Sequence, residues 1–96
     1  MPSLSTATYG HGKPLILLHG WGFSKQIWAP LLPKLTPTFQ VTVVDLPGHG
    51  QSPLLPHVQA IEQVVEHLVH HTPADGIWLG WSLGGILSLA VVCLSR

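Results

Sequence analysis

Gly80-Trp81-Ser82-Leu83-Gly84 puts a serine at the point where a strand is expected to turn sharply into a helix. A short apolar run, Ile77 to Leu79, precedes it, and a longer one, Ile86 to Leu94, follows. G-x-S-x-G between a strand and a helix is the pattern of a nucleophile elbow. Such a turn forces the serine backbone into a strained conformation. The neighbouring chain passes so close that side chains at 80 and 84 would clash, so Gly80 and Gly84 are the elbow glycines. In return, Oγ of Ser82 is expected to stand exposed above the sheet, with the N–H groups of the new helix facing a reacting carbonyl. A serine becomes a nucleophile only with a base and an orienting acid. In this architecture both follow the serine in chain order, and a single helix follows Ser82 within the 96 residues.

The same region also fits a membrane span, since Gly76 to Ser95 carries no charge and Gly80 and Gly84 have G-x-x-x-G spacing. Four glycines and a serine in its first half lower helix propensity where such a span would begin. No cluster of Lys or Arg flanks it to set an orientation. The elbow is therefore the preferred assignment.

Upstream of the elbow, strand and helix patterns alternate, which predicts an α/β domain with a mostly parallel sheet and flanking helices. Leu4 to Tyr9 fits a weak edge strand. Pro14 to His19 is a continuous apolar run, as in a strand buried on both faces. Ser24 can cap a helix in which Trp28, Leu31, Leu32 and Leu35 share one face. Pro30 is tolerable there if the helix starts near Ile27, whereas Pro33 is expected to kink or end it. Gln40 to Asp45 is β-branched and strand-like. Leu46 to Pro56 reads as a loop, and His57 to His70 as an amphipathic helix stopped by Pro73. Its inward residues are Val58, Ile61, Val65 and Leu68; Glu62, Glu66 and His70 face outward. Asp75-Gly76 turns the chain into the Ile77–Leu79 strand, and a final helix runs from Leu83 to about Leu94. No internal repeat or linker interrupts the series.

A second constellation, His19-Gly20-Trp21-Gly22, lies directly after the buried strand. In an elbow enzyme this loop gives one oxyanion-hole N–H and the residue after the nucleophile gives the other. The donors would be the backbones of Trp21 and Leu83. The bland alternative is a strand-ending turn that merely needs glycine. A dinucleotide site competes for the same residues, with Asp45 binding a ribose at the end of the next strand. Its third glycine position is Lys25, however, and such a site leaves Ser82 without a role.

Asp45 to Ser52 (DLPGHGQS) forms a rigid loop at the carboxyl end of a strand, where α/β proteins place ligands. Its expected role is structural: Asp45 and Ser52 tie the loop by hydrogen bonds, so that it shapes the site. Direct chemistry by Asp45 or His49 is the minor alternative. His67, His70 and His71 have spacing that a zinc ion can use, but polar residues in a helix's last turn usually serve its dipole, and no metal site is assigned. His19 is expected to make a structural hydrogen bond, His11 and His57 to be solvated, and Cys93 to pack as a small hydrophobe.

Composition narrows the remaining classes. Of the 96 residues 46% are hydrophobic and only 8% charged, against roughly a quarter charged in an ordinary soluble domain. A piece of a larger core has this composition. The net charge is zero and there is no basic patch, so nucleic acid is not an expected partner. Met1 to Tyr9 has neither the basic nor the apolar region of a signal peptide, which makes the cytoplasm the expected compartment and a membrane an unexpected partner.

Taken together, LLHGWG (17–22), VDLPGHGQS (44–52) and WLGWSLGG (78–85) resemble the N-terminal part of an α/β-hydrolase in order and spacing. Tryptophan at both 21 and 81 makes the chain similar to the pimeloyl-[acyl-carrier protein] methyl ester esterases of biotin synthesis. The resemblance spans nearly the whole chain. It implies a serine carboxylesterase acting through an acyl-enzyme, with Ser82 as nucleophile, Trp21 and Leu83 as oxyanion donors, and Trp21 also lining the acyl site. It implies an acyl ester substrate carried on acyl-carrier protein, and no metal or organic cofactor. The family's acid, histidine, later strands and helical lid have no counterpart in residues 1–96. An eight-stranded member needs about 240 residues at ~30 per strand–helix unit. The chain is thus expected to be a partial domain, the nucleophile half, inactive alone or paired with a partner chain that completes the sheet.

Overall fold

The computed structural model describes residues 3–54, 60–73 and 75–94. Four strands form one sheet: β1 (Thr6–Tyr9), β2 (Lys13–Leu18), β3 (Phe39–Val44) and β4 (Ile77–Gly80). Their order across the sheet is β1-β3-β2-β4. β1 runs antiparallel to β3, while β2 is parallel to both β3 and β4. The two central strands are the continuous apolar runs, as a sheet covered on both faces requires.

Period-two alternation divides the core into two layers. Ile16, Leu18 and Val44 face α2 (Ile61–His70) and α3 (Leu83–Leu94), meeting Val65, Leu68, Leu87 and Val91. Leu15, Leu17, Val41 and Val43 face the opposite side, where Trp28, Ile27, Leu32 and Leu35 cover them. Those covering residues belong to a 3-10 helix, Lys25–Leu31, that runs directly into the short α1, Leu32–Leu35.

Several details differ from the sequence-based expectations. Ser24 does cap, its Oγ accepting the Gln26 N–H at 3.3 Å, but the segment opens as a 3-10 helix at Lys25 instead of an α-helix near Ile27. Pro30 sits inside the 3-10 turn, and Pro33 falls in the first turn of α1, where its missing N–H costs nothing. The two prolines split the helix in two and do not end it. Leu31 is exposed, on the wall of an open cleft, and does not share the buried face.

In α2 the inward residues are Val64, Val65 and Leu68, while Ile61, in the first turn, is exposed. Among the described residues α2 begins at Ile61; the expected start at His57 and the position of Val58 lie outside them. Cys93 is exposed, because α3 is apolar all round and buries Gly84, Leu87, Ser88 and Val91, with Leu83 and Ala90 partly buried beside them. Among the described residues, no helix is long and apolar enough to cross a membrane.

Candidate functional site

β4 ends at Gly80, the Trp81 amide continues the ladder by donating to the Leu18 carbonyl at 3.1 Å, and α3 starts at Leu83. The whole reversal rests on Ser82, whose φ is +56°. Left-handed backbone costs an L-residue roughly 1–2 kcal/mol, so a serine there is held by its surroundings. The first turn of α3 supplies part of that hold: the Gly85 and Ile86 amides both donate to the Ser82 carbonyl, at 2.9 and 3.2 Å. Close packing supplies the rest. A Cβ on Gly80 would strike the Gly84 carbonyl, and one on Gly84 would strike the Leu18 and His19 carbonyls. Ser82 is exposed, and among the described residues its side chain makes no hydrogen bond.

The His19–Gly22 segment runs alongside. A Cβ built on Gly20 would lie 3.4 Å from the Ser82 Cβ and 3.3 Å from the Trp81 carbonyl oxygen. Gly20 to Phe23 is a tight turn in which the Phe23 amide donates to the Gly20 carbonyl at 3.2 Å. Gly22, at the third position, has φ +81°, the conformation a type II turn demands there. The Trp21 amide at the turn and the Leu83 amide at the helix start both lack an acceptor among the described residues. Two amides without an acceptor among the described residues thus belong to the two segments that meet at Ser82. The Trp21 side chain is 75% exposed. Trp81 meets Phe23 at 4.9 Å between ring centroids, and with Ile27, Trp28, Leu31, Leu79 and Gly80 it lines an open apolar cleft of about 380 Å³.

His19, next to Gly20, and His49, bonded to Gly22, are both committed. His19 is fully buried; its Nε2 accepts the Leu46 amide at 3.0 Å, which leaves Nδ1–H to donate to the Gly20 carbonyl at 2.7 Å. Burial lowers its pKa below the ordinary histidine value, as does the nearby His49 ring, against the opposing pull of the Gly20 carbonyl and Asp45. His49 accepts the Gly22 amide on Nε2 at 3.0 Å, with Nδ1 placed 3.1 Å from the Pro47 carbonyl.

Asp45 is 1% exposed and saturated. Its carboxylate accepts the Lys25 amide at 2.7 Å, Lys25 Nζ at 2.8 Å and the Gln51 amide at 3.0 Å. Burial works to raise its pKa, but these amide hydrogen bonds and the Lys25 charge outweigh it and hold the carboxyl below the usual range. Ser52 Oγ donates to the Asp45 carbonyl at 2.6 Å and accepts the Ser5 amide at 2.8 Å, so the 45–52 loop is tied as expected. A ribose has no free carboxylate to bind here, which removes the dinucleotide alternative. The ammonium on Asp45 comes from Lys25, the position where a third glycine would have stood. Nothing in the linear sequence pairs residues 25 and 45, or 22 and 49; only the strand order brings them together.

His67, His70 and His71 adjoin one another at the end of α2, with His67 and His71 stacked at 6.4 Å. Among the described residues no group of three His, Cys, Asp or Glu side chains could hold a metal ion. His11 is exposed, and His57 lies outside the described residues.

Comparison with known proteins bears on this geometry. Residues 15–96 match the sequence profile described as "Alpha/beta hydrolase family". The chain is 44% identical over 81 residues to a pimeloyl-[acyl-carrier protein] methyl ester esterase of Vibrio vulnificus, a match covering 84% of this chain and 31% of that protein. It is 40% identical over 93 residues to the protein of the same name from Photobacterium profundum, covering 97% and 36%. An alpha/beta hydrolase from Sphaerobacter thermophilus, known as a crystal structure, superposes with a TM-score of 0.83 at 29% identity, over 95% of this chain and 38% of that one. The chain spans about a third of the length of the curated relatives it matches.

Proposed function

This chain belongs to the alpha/beta hydrolase family, and from that premise we propose that it is the nucleophile-bearing part of a serine carboxylesterase. Ser82 Oγ attacks the ester carbonyl, and its proton passes to a base. The developing oxyanion takes the N–H groups of Trp21 and Leu83, each typically worth about 3–4 kcal/mol of barrier. Collapse of the tetrahedral adduct expels the alcohol and leaves an acyl-serine, which water hydrolyses by the same steps in reverse order. The observation that carries this reading is the exposed Ser82 at φ +56°, packed against Gly20, with the adjoining Trp21 and Leu83 amides lacking any acceptor among the described residues.

The base and the orienting acid are proposed to lie outside residues 1–96. His19 and His49 each use Nε2 to accept a backbone amide and set Nδ1 against a carbonyl, and the Asp45 carboxylate is fully bonded. Residues 1–96 are accordingly proposed as a partial domain whose β4 edge is continued by further strand–helix units. The relatives' name gives the substrate we propose: the methyl ester of a pimeloyl chain on acyl-carrier protein, with methanol as the leaving alcohol, a step of biotin synthesis. The open apolar cleft beside Trp81 suits the methylene chain.

The commitment of these three side chains also supports a second reading for residues 1–96 alone, a non-catalytic half-domain. Hydrolysis of a pimeloyl monomethyl ester by the protein as expressed from its gene separates the two. We expect turnover that falls about 10⁴- to 10⁶-fold in Ser82→Ala. Turnover that is unchanged in Ser82→Ala contradicts the serine mechanism, and no turnover by the wild type favours the half-domain.

A further inference from the structure

His49 has no part in the chemistry proposed above, yet it touches the loop that presents the Trp21 amide. Its ring lies between two other rings, 5.0 Å from His19 and 4.9 Å from Trp21, the latter in an edge-to-face contact at 82°. The Pro47 carbonyl, 3.1 Å from Nδ1, can only accept, so Nδ1 carries the proton and Nε2 is left with its lone pair. That lone pair receives the Gly22 amide at 3.0 Å. Gly22 is the left-handed residue of the turn, next to Trp21, and a Cβ there would meet nothing within 4 Å. Packing therefore does not hold this corner of the turn. The bond to His49 and the Phe23–Gly20 bond hold it.

We propose that His49 is a positioning residue for the Gly20–Phe23 turn, fixing the Gly22 amide through its unprotonated Nε2 and thereby aiming the Trp21 amide beside Ser82. As far as it concerns catalysis, this rests on the oxyanion role assigned to Trp21. An imidazolium has two donors and no acceptor, so protonating His49 replaces the Gly22 bond with two N–H groups facing each other. The turn is thus held when His49 is neutral and released when it is charged. The titratable group against the His49 ring is His19, from the end of β2, which is electrostatically coupled to Asp45 and so to the Asp45–Lys25 ion pair. His19 offers no substitute acceptor, because its own Nε2 already takes the Leu46 amide.

The test follows the Gly22 and Trp21 amide resonances and the ring nitrogens of His49 and His19 in ¹⁵N-labelled protein, from about pH 8 to about pH 5. We expect His49 as the Nδ1–H tautomer at high pH, and a Gly22 shift with the midpoint of His49, not that of His19. His49→Gln, whose side-chain carbonyl can accept the same amide, should keep Gly22 near its high-pH position and abolish the titration. His49→Phe should displace it at every pH and, in the protein as expressed, lower kcat about tenfold with KM little changed. A Gly22 amide that stays fixed while His49 titrates, or an Nε2–H tautomer at high pH, overturns the proposal even if the Phe variant fails to fold. Failure of the esterase reading looks different: Gly22 would still titrate with His49, while ester turnover would be indifferent to Ser82→Ala.

Discussion

Ser82 and Gly22 both occupy left-handed backbone, at φ +56° and +81°, for opposite reasons. Gly22 is there because a glycine loses nothing by it; Ser82 is there in spite of the cost, which fits the nucleophile role proposed for its hydroxyl. Ser82→Gly should therefore raise stability by about 0.5–1 kcal/mol in thermal melts, since the strain relieved exceeds the extra chain entropy of glycine. Gly84→Ala should cost about 3 kcal/mol, because its Cβ meets two backbone carbonyls that cannot move aside. A stabilising Gly84→Ala would mean that the elbow is looser than described. The elbow glycines were readable in the sequence because a Cβ at Gly80 or Gly84 would strike backbone, and Ser82 was readable because it stands between them in the G-x-S-x-G pattern. The Lys25–Asp45 and Gly22–His49 contacts were not, since they join residues 20 and 27 positions apart that carry no local signature.

Asp45→Asn keeps one acceptor oxygen but leaves the Lys25 ammonium without its counter-charge and turns an NH2 group toward donors the carboxylate now accepts, so it should lose about 3 kcal/mol. The folded-state pKa of Asp45 is depressed, so its contribution is full above the unfolded carboxyl value of about 3.9 and is lost as pH falls towards the lower folded value. His19 acts in the same direction at higher pH. Its folded pKa is also depressed, so below about 6.5 the unfolded chain binds the proton more readily and stability declines. Urea midpoints should drop in both windows, and Asp45→Asn should flatten the lower one.

At the scale of elements, strand order and helix faces separate what pattern can and cannot reveal. β2, β3 and β4 were readable because continuous β-branched or aliphatic runs bounded by turn residues have few other uses. The prolines at 30 and 33 announced trouble, but the change from 3-10 to α between them depends on how the segment lies over Leu17 and Val43. Periodicity fails in α3, where nearly every residue is apolar: Leu87 and Val91 are buried, whereas Ile86, Leu89 and Cys93 are not. β4 is an edge strand of the sheet, and its Ile77 and Leu79 are exposed on the opposite sheet face, the side of Leu15 and Leu17. Unpaired edges and large apolar patches promote association. Residues 1–96 expressed alone should elute from gel filtration as more than a 10.4 kDa monomer. Paired Ile86→Lys and Leu89→Lys substitutions should reduce that association without loss of helical circular dichroism. A clean wild-type monomer would count against a face built for further strands and helices.

For the molecule as a whole, the sheet, the strand–helix reversal and the Gly20–Phe23 turn bring an exposed Ser82 together with two histidines, His19 and His49, whose ring nitrogens are already committed. The family profile over residues 15–96 and the match to about a third of each curated relative fit that arrangement. On the proposed mechanism Ser82 becomes acylated. The most direct test of that step is peptide mapping by mass spectrometry of the protein as expressed from its gene, after treatment with a fluorophosphonate that mimics the tetrahedral adduct. One adduct is expected, on the peptide carrying Ser82, and none in Ser82→Ala. An adduct on another residue, or ester turnover with Ser82 unmodified, would contradict that mechanism.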